Sequence, residues 1–238
     1  MNKTYRLASI PIMSATADEL MRIIGSRAEK SQKTLLFFAN TNLVVKCQPI
    51  ASQLDSKDVV IVNDGIGVDI GCRLIHGEKF TANLNGTDFT PYYFQHSSMI
   101  SKVFLIGSTQ EVLDKASLYL TQTLGQEVVG MCDGFGGVRD SSLTARINAS
   151  GADVVLVAMG NPLQEMWILD HHHQLNAPLL LGVGALFDFW AGDKPRAPRL
   201  VQQLHLEWLF RLSLEPRRLF KRYTIDIVRF LFICIKNK

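Results

Sequence analysis

Short apolar runs alternate with longer amphipathic stretches along most of the chain. The runs at Leu35–Ala39, Val59–Val62, Val103–Ile106, Glu127–Met131, Val154–Met159 and Leu179–Val183 are too short for helices and suit strands of a buried sheet. Arg6–Met13 reads as a strand or one arm of a hairpin. Between the runs, Thr16-Ala17-Asp18-Glu19 forms a capping box that opens a helix to about Lys30. Further helices are predicted after Asn42 to about Leu54, after Gly65 to about Ile75, and after Ser108 to Leu124. An aromatic helix is expected around Tyr92–Phe94, and Leu163–Gln174 has helical length with Pro162 at its start. Such alternation predicts an α/β fold: a Rossmann-like, mostly parallel sheet covered by helices. After Pro198 the pattern turns helical only. The expected division is therefore a core over residues 1–198 and a basic, amphipathic helical appendage over 199–238.

Charge sharpens that division. The net charge of the 238 residues is only +3, yet residues 194–238 hold 11 Lys/Arg against 3 Asp/Glu, a net +8. The first 193 hold 14 against 19, a net −5. A basic tail on an acidic body points to an anionic partner such as phosphates, nucleic acid or a lipid surface. Cys47, Cys72, Cys132 and Cys234 are scattered without a CxxC pair, which fits a reduced, cytosolic setting better than disulfides or a zinc site. The N-terminus lacks the apolar core of a signal peptide, and no run approaches the ~20 apolar residues of a spanning helix.

Candidate chemistry gathers where strands give way to turns, the end of an α/β sheet at which ligands bind. Gly160-Asn161-Pro162 and Gly182-Val183-Gly184 close two strands, Gln164 and Glu165 occupy a first helical turn, and Asp188 follows the second strand. Asp64 directly follows a strand, as a general base or as a turn residue before Gly65. Asp88 reads as a helix cap as readily as a ligand contact, and Gly107-Ser108 as a phosphate turn or a plain tight one. His171-His172-His173 reads as a solvated helix end rather than a metal site, and core packing is expected for at least two of Trp167, Trp190 and Trp208. Two rival readings stand beside enzymatic transfer. Gly65, Gly67 and Gly71 form GxGxxxG after a strand, roughly where a dinucleotide oxidoreductase carries its fingerprint. The tail with its interleaved aromatics also allows a non-enzymatic nucleic-acid or membrane module, but that leaves the polar rim without a role.

Five segments together carry a family resemblance: NDGIGVD at 63–69, NGTDF at 85–89, AMGNPLQEMW at 158–167, GVGALFDFWAGDKPRAP at 182–198 and LEWLFRLSLEPRRLFKR at 206–222. They resemble the WecG/TagA/CpsF glycosyltransferases, glycosyltransferase family 26, over about residues 5–225. The resemblance implies an inverting transfer from a UDP-sugar (N-acetylmannosamine, its uronic acid or glucose) to a polyprenyl-diphosphate-linked sugar, in cell-surface polysaccharide synthesis. It implies a peripheral enzyme at the cytoplasmic membrane face, with no metal, no other cofactor and no nucleic-acid partner; a homo-oligomer stays open. Carried over by motif, Asp64 is the catalytic base, while Gln164, Glu165 and Asp188 line the nucleotide-sugar site. Asn40, Asn42, Asn63, Asp88, Gly107, Gly160 and Gly184 join the substrate-binding set. Arg211, Arg217, Arg218 and Arg222 lie in the appendage segment expected to close over the site.

Two positions depart from the family pattern. Asn40 stands where many members have threonine, and Asn83 where an arginine is common. The chemistry agrees with the rest of the set. An inverting transfer needs one base on the attacking hydroxyl and positive charge on the departing diphosphate. Without an Asp-x-Asp motif, permanently charged arginines are the natural counter-charge.

Overall fold

A computed structural model describes residues 2–198, 201 and 206–236. One eight-stranded sheet runs through the molecule in the order β1-β2-β4-β3-β8-β7-β5-β6. Its first two strands, β1 (Thr4–Leu7) and β2 (Ile10–Met13), form an antiparallel hairpin turned by Ala8 and Ser9, both at positive φ. The other neighbours are parallel: β3 (Thr34–Ala39), β4 (Val59–Asn63), β5 (Lys102–Gly107), β6 (Glu127–Cys132), β7 (Val154–Ala158) and β8 (Leu179–Gly182). Strands β3, β7 and β8 are buried at every position, as their continuous apolar runs require.

Helices cover both faces. On one face lie α1 (Ala17–Glu29), α5 (Gly86–His96), α6 (Gln110–Gln122) and α9 (Leu186–Trp190). On the other lie α2 (Thr41–Lys46), α3 (Ala51–Leu54), α4 (Ile66–His76), α7 (Leu143–Ser150) and α8 (Leu163–His171). The capping box forms as its residues predict: Glu19 N donates to Thr16 Oγ1, and Thr16 N to the Glu19 carboxylate. Three local expectations change. The helix expected to run to Leu54 breaks at a 3-10 turn, Gln48–Ile50, which contains Pro49. The one expected to reach Gln174 ends at His171 and tightens into the 3-10 turn His172–Gln174. Helix α7 has no counterpart in the sequence reading.

The C-terminal helices α10 (Glu207–Leu214), α11 (Pro216–Tyr223) and α12 (Ile225–Lys236) follow the core. The last is also part of it, because α12 lies against α2 and α4 and buries Phe230 and Cys234 in the same apolar layer. That contact explains the glycine spacing. A Cβ on Gly71 would come 2.5 Å from Phe230 Cζ, and one on Gly67 2.5 Å from Thr41 Cγ2. Gly67 and Gly71 are therefore helix-packing residues, which removes the structural basis of the dinucleotide fingerprint. All four cysteines are free and buried, and burial pushes the Cys72 thiol up to about 11 and that of Cys234 to about 12, so both stay protonated and inert. Among the described residues no helix is long and apolar enough to cross a membrane.

Candidate active site

Strands β3 and β8 are neighbours, yet α2 leaves β3 toward one face and α9 leaves β8 toward the other. Their carboxyl ends part at this switch point and leave a crevice, the ligand position of open α/β sheets. Two polar clusters flank it.

The first is built on β3, β4, β7 and β8. Asn40 caps α2, accepting from Leu43 N at 3.1 Å, and its Nδ2 donates to Asp64 Oδ2 at 3.2 Å. Asn40 thus caps the helix with its amide oxygen and tethers Asp64 with its amide nitrogen. Asn83 Oδ1 accepts from Gly65 N at 2.7 Å and braces the turn just beyond. Asp64 is half-buried and, among the described residues, makes no ion pair. A hydrogen-bonded chain then crosses the crevice floor. Asn42 Nδ2 donates to Asn161 Oδ1 at 3.2 Å, and Asn161 Nδ2 to Glu165 Oε1 at 2.6 Å. Gln164 Nε2 donates to the same oxygen at 2.8 Å. Its Oε1 accepts from Gly160 N at 3.2 Å and Gly184 N at 2.9 Å. The amides of both glycine turns are thereby taken up inside the protein, and Gln164 locks the two loops together.

Glu165 lies beneath Gln164 with 0 % of its surface exposed. Burial raises its pKa, against hydrogen bonds from Gln164 and Asn161 that lower it. It bears on the crevice through Gln164. Asn63 is likewise fully buried, and neither its Nδ2 nor its Oδ1 has a partner among the described residues.

The second cluster stands on β5 and α9. Gly107 has φ +118°, and a Cβ there would meet Ala158 O at 2.3 Å, so only glycine fits. Next to it, Ser108 Oγ lies 3.5 Å from Asp188 Oδ1. Lys194 Nζ pairs with Asp188 Oδ2 at 2.7 Å and reaches Glu215 at 3.9 Å. The Arg211 guanidinium lies over the Phe189 ring, 5.2 Å from its centroid. Asp88 stands apart at the exposed start of α5, where Asn85 caps the helix and Arg196 pairs with the Asp88 carboxylate. Arg217 is exposed on α11; the side chains of Arg218 and Arg222 lie outside the described ones.

The structure brings Asn40, Asn42, Asp64, Gly160, Gln164 and Gly184 to one rim, with Glu165 buried beneath it, and Gly107 and Asp188 to its continuation. Lys194, Arg196 and Asn161 were not singled out as site residues, although all three sit within the quoted motifs; Ser108 was read only as part of a possible phosphate turn. The histidine reading is corrected: His172 is buried, with Nδ1 on Leu169 O at 2.9 Å, and burial lowers its pKa. Its neighbour Lys33 donates to the His172 carbonyl, while His171 is half-buried and His173 is exposed, so the solvated reading fails at His172 alone. Trp167 and Trp190 are buried and Trp208 is exposed, as expected. Among the described residues no group of three or more His, Cys, Asp or Glu side chains is placed to hold a metal ion.

Fold and rim together define an α/β protein with a polar crevice at the switch point, a tethered carboxylate on one side and, on the other, Lys194 on Asp188 and Arg211 over Phe189. The chain belongs to the glycosyl transferase WecG/TagA/CpsF family, whose model matches residues 5–238. Relatives from Staphylococcus aureus strains NCTC 8325 / PS 47 and COL, each named N-acetylglucosaminyldiphosphoundecaprenol N-acetyl-beta-D-mannosaminyltransferase, are 32% identical over 137 residues. That match covers 58% of this chain and 54% of each relative, so the chain spans about half the length of the curated relatives it matches.

Proposed function

We propose that this protein is an inverting glycosyltransferase that moves N-acetylmannosamine from a UDP-sugar to N-acetylglucosamine linked through diphosphate to undecaprenol. Family membership supports the reaction class, and the relatives' names support the two sugars and the lipid. The single observation that carries the mechanism is Asp64. It closes β4 at the crevice, held by Asn40 and left without a cation.

In this reading the Asp64 carboxylate takes the proton of the acceptor hydroxyl as its oxygen bonds to the anomeric carbon. The bond from that carbon to the diphosphate oxygen breaks on the opposite face, and UDP leaves with the electron pair. Arg211, Arg217, Arg218 and Arg222 supply positive charge to the departing diphosphate, in place of a metal ion. The appendage holds the enzyme at the inner membrane surface, where its lipid-linked acceptor resides, through exposed apolar positions and basic side chains.

The test is transfer by the purified full chain from UDP-N-acetylmannosamine to the lipid-linked sugar in EDTA, beside Asp64→Asn. Turnover is expected to persist in chelator and to fall on the order of 10²–10⁴-fold in the variant, the usual contribution of a general base. A metal requirement would remove the arginine-for-metal reading. A variant within a few-fold of wild type would remove Asp64 from the chemistry.

A further inference from the structure

Helix α4 begins two residues after Asp64 and is apolar on more than the side it buries. Val68 and Cys72 face the core. Ile66, Ile70 and Leu74 do not, and they are 43%, 52% and 51% exposed. Spaced four residues apart, they share one side of the helix, next to the Gly67 and Gly71 positions on which Thr41 and Phe230 pack. A helix that covers a core on one side and meets water on the other carries polar residues on its outer side. Here the outer positions that follow Asp64 are large aliphatics, one per turn, in a row of about 12 Å.

The place of this row says what it meets. The other neighbours of Asp64 at the rim are polar: Asn40 holds its carboxylate, Asn42 and Asn161 lead toward α8, and Asn83 braces the turn beyond. The apolar way out from Asp64 begins at Ile66. An acceptor whose hydroxyl meets Asp64 carries a long isoprenoid chain beyond its sugar ring and two phosphates. Ile70 and Leu74 follow Asp64 by six and ten residues, about 9 and 15 Å along the helix, which leaves room for that head group before the chain. Helix α12, which lies against α4, exposes Val228, Phe232 and Ile235 as well, so the row has a second apolar surface for a neighbour. Three half-exposed side chains offer far less than the about 800 Å² per partner that a stable protein interface buries, whereas they suit one flexible chain laid along them.

We infer that the outer side of α4 holds the first isoprene units of the acceptor's lipid chain, with Ile70 and Leu74 as the gripping pair. The inference rests on the lipid-linked acceptor of the reading above and adds the direction in which the chain leaves Asp64. Steady-state transfer by the full chain in detergent, where no bilayer is present, tests it. The acceptors are N-acetylglucosamine diphosphate on undecaprenol and the same head group on a single methyl. Ile70→Ser/Leu74→Ser should raise KM for the undecaprenol acceptor on the order of tenfold, the loss of two apolar contacts, and leave kcat and KM for the UDP-sugar unchanged. Ile70→Met/Leu74→Met should behave as wild type, and so should Leu118→Ser, an exposed aliphatic on the opposite face of the sheet. An unchanged KM in the serine variant overturns the inference, as does a wild type that uses both acceptors equally well. A loss shared by the methyl acceptor overturns it too, because the head group and not the chain would then have been affected. A loss seen on vesicles but not in detergent would make the row a membrane contact, and a dimer that the serine variant splits would make it a contact between copies; either result replaces the chain. A wild type inactive on both acceptors would overturn the acceptor reading and the inference with it.

Discussion

Burial of Glu165 among Cys47, Asn161 and Gln164 favours its neutral form, so its pKa stands above the ordinary glutamate range of about 4.3. A carboxyl whose folded pKa is raised contributes stability that is fully present below its unfolded pKa. That stability is lost as pH climbs through the folded value, because the unfolded chain ionises freely while the buried group resists. Glu165→Gln has the same shape without the titration, and its amide oxygen still accepts from Asn161 and Gln164. The melting temperature of this variant is expected to exceed that of wild type by a margin that grows as pH rises above about 5. Thermal denaturation between pH 4 and 8 checks it, and parallel curves would mean that Glu165 is not the titrating group. Asp64 sits in the opposite setting: half-buried, at the crevice, with one amide tether. Two carboxyls near one rim thus take different parts, one bracing Gln164 from below and one free to meet a substrate.

At the scale of elements, β5 and its turn set the geometry of the second cluster. Gly107 combines a left-handed backbone with an approach to the Ala158 carbonyl that admits no Cβ. Gly107→Ala is expected to destabilise the chain by about 2–4 kcal/mol, the sum of backbone strain and overpacking. Urea unfolding measures it, and a loss under about 1 kcal/mol would show that β5 and β7 can separate at that point without penalty. The same contact explains why Ser108, at φ +57°, arrives beside Asp188 rather than continuing the strand. The β7–α8 and β8–α9 loops are held differently, by the Gln164 side chain. This is a polar clamp that one substitution can open, whereas the β5 turn is a steric one.

For the whole molecule, α12 has two faces. Phe230 and Cys234 point into the layer shared with α2 and α4, while Val228, Phe232 and Ile235 are exposed. Residues 194–238, which include this helix, carry a net charge of +8. Substitutions on the two sides should therefore separate stability from surface binding. Phe230→Ala is expected to lose about 3–5 kcal/mol, as a fully buried aromatic does. Phe232→Asp is expected to melt within a few degrees of wild type and to lose co-sedimentation with anionic liposomes. If Phe232→Asp pelleted as well as wild type, the exposed face of α12 would not be the membrane-facing one.

Much of this architecture was legible in the chain. Strands β3 to β8 were marked by apolar runs bounded by turn residues, whereas Arg6–Met13, read as one strand or hairpin arm, turns within itself at Ala8 and Ser9; the capping box placed α1 because both of its hydrogen bonds are local. Asp64, Gln164 and Asp188 stood out because strand ends and first helical turns can be located from nearby residues alone. What local pattern could not decide is anything that depends on a distant partner. The GxGxxxG spacing looks like a phosphate loop until α12 is found against Gly71 and α2 against Gly67. The histidine run looks solvated throughout until the fold buries His172 in its middle. Glu165 looks like a rim residue until the strands assemble and Gln164 covers it. Hydrophobic period and capping are written in neighbouring residues, so the sequence determined the elements and their order. Burial, helix-to-helix approach and the partners of a side chain are set by residues far apart in the chain, and only the tertiary structure decided them.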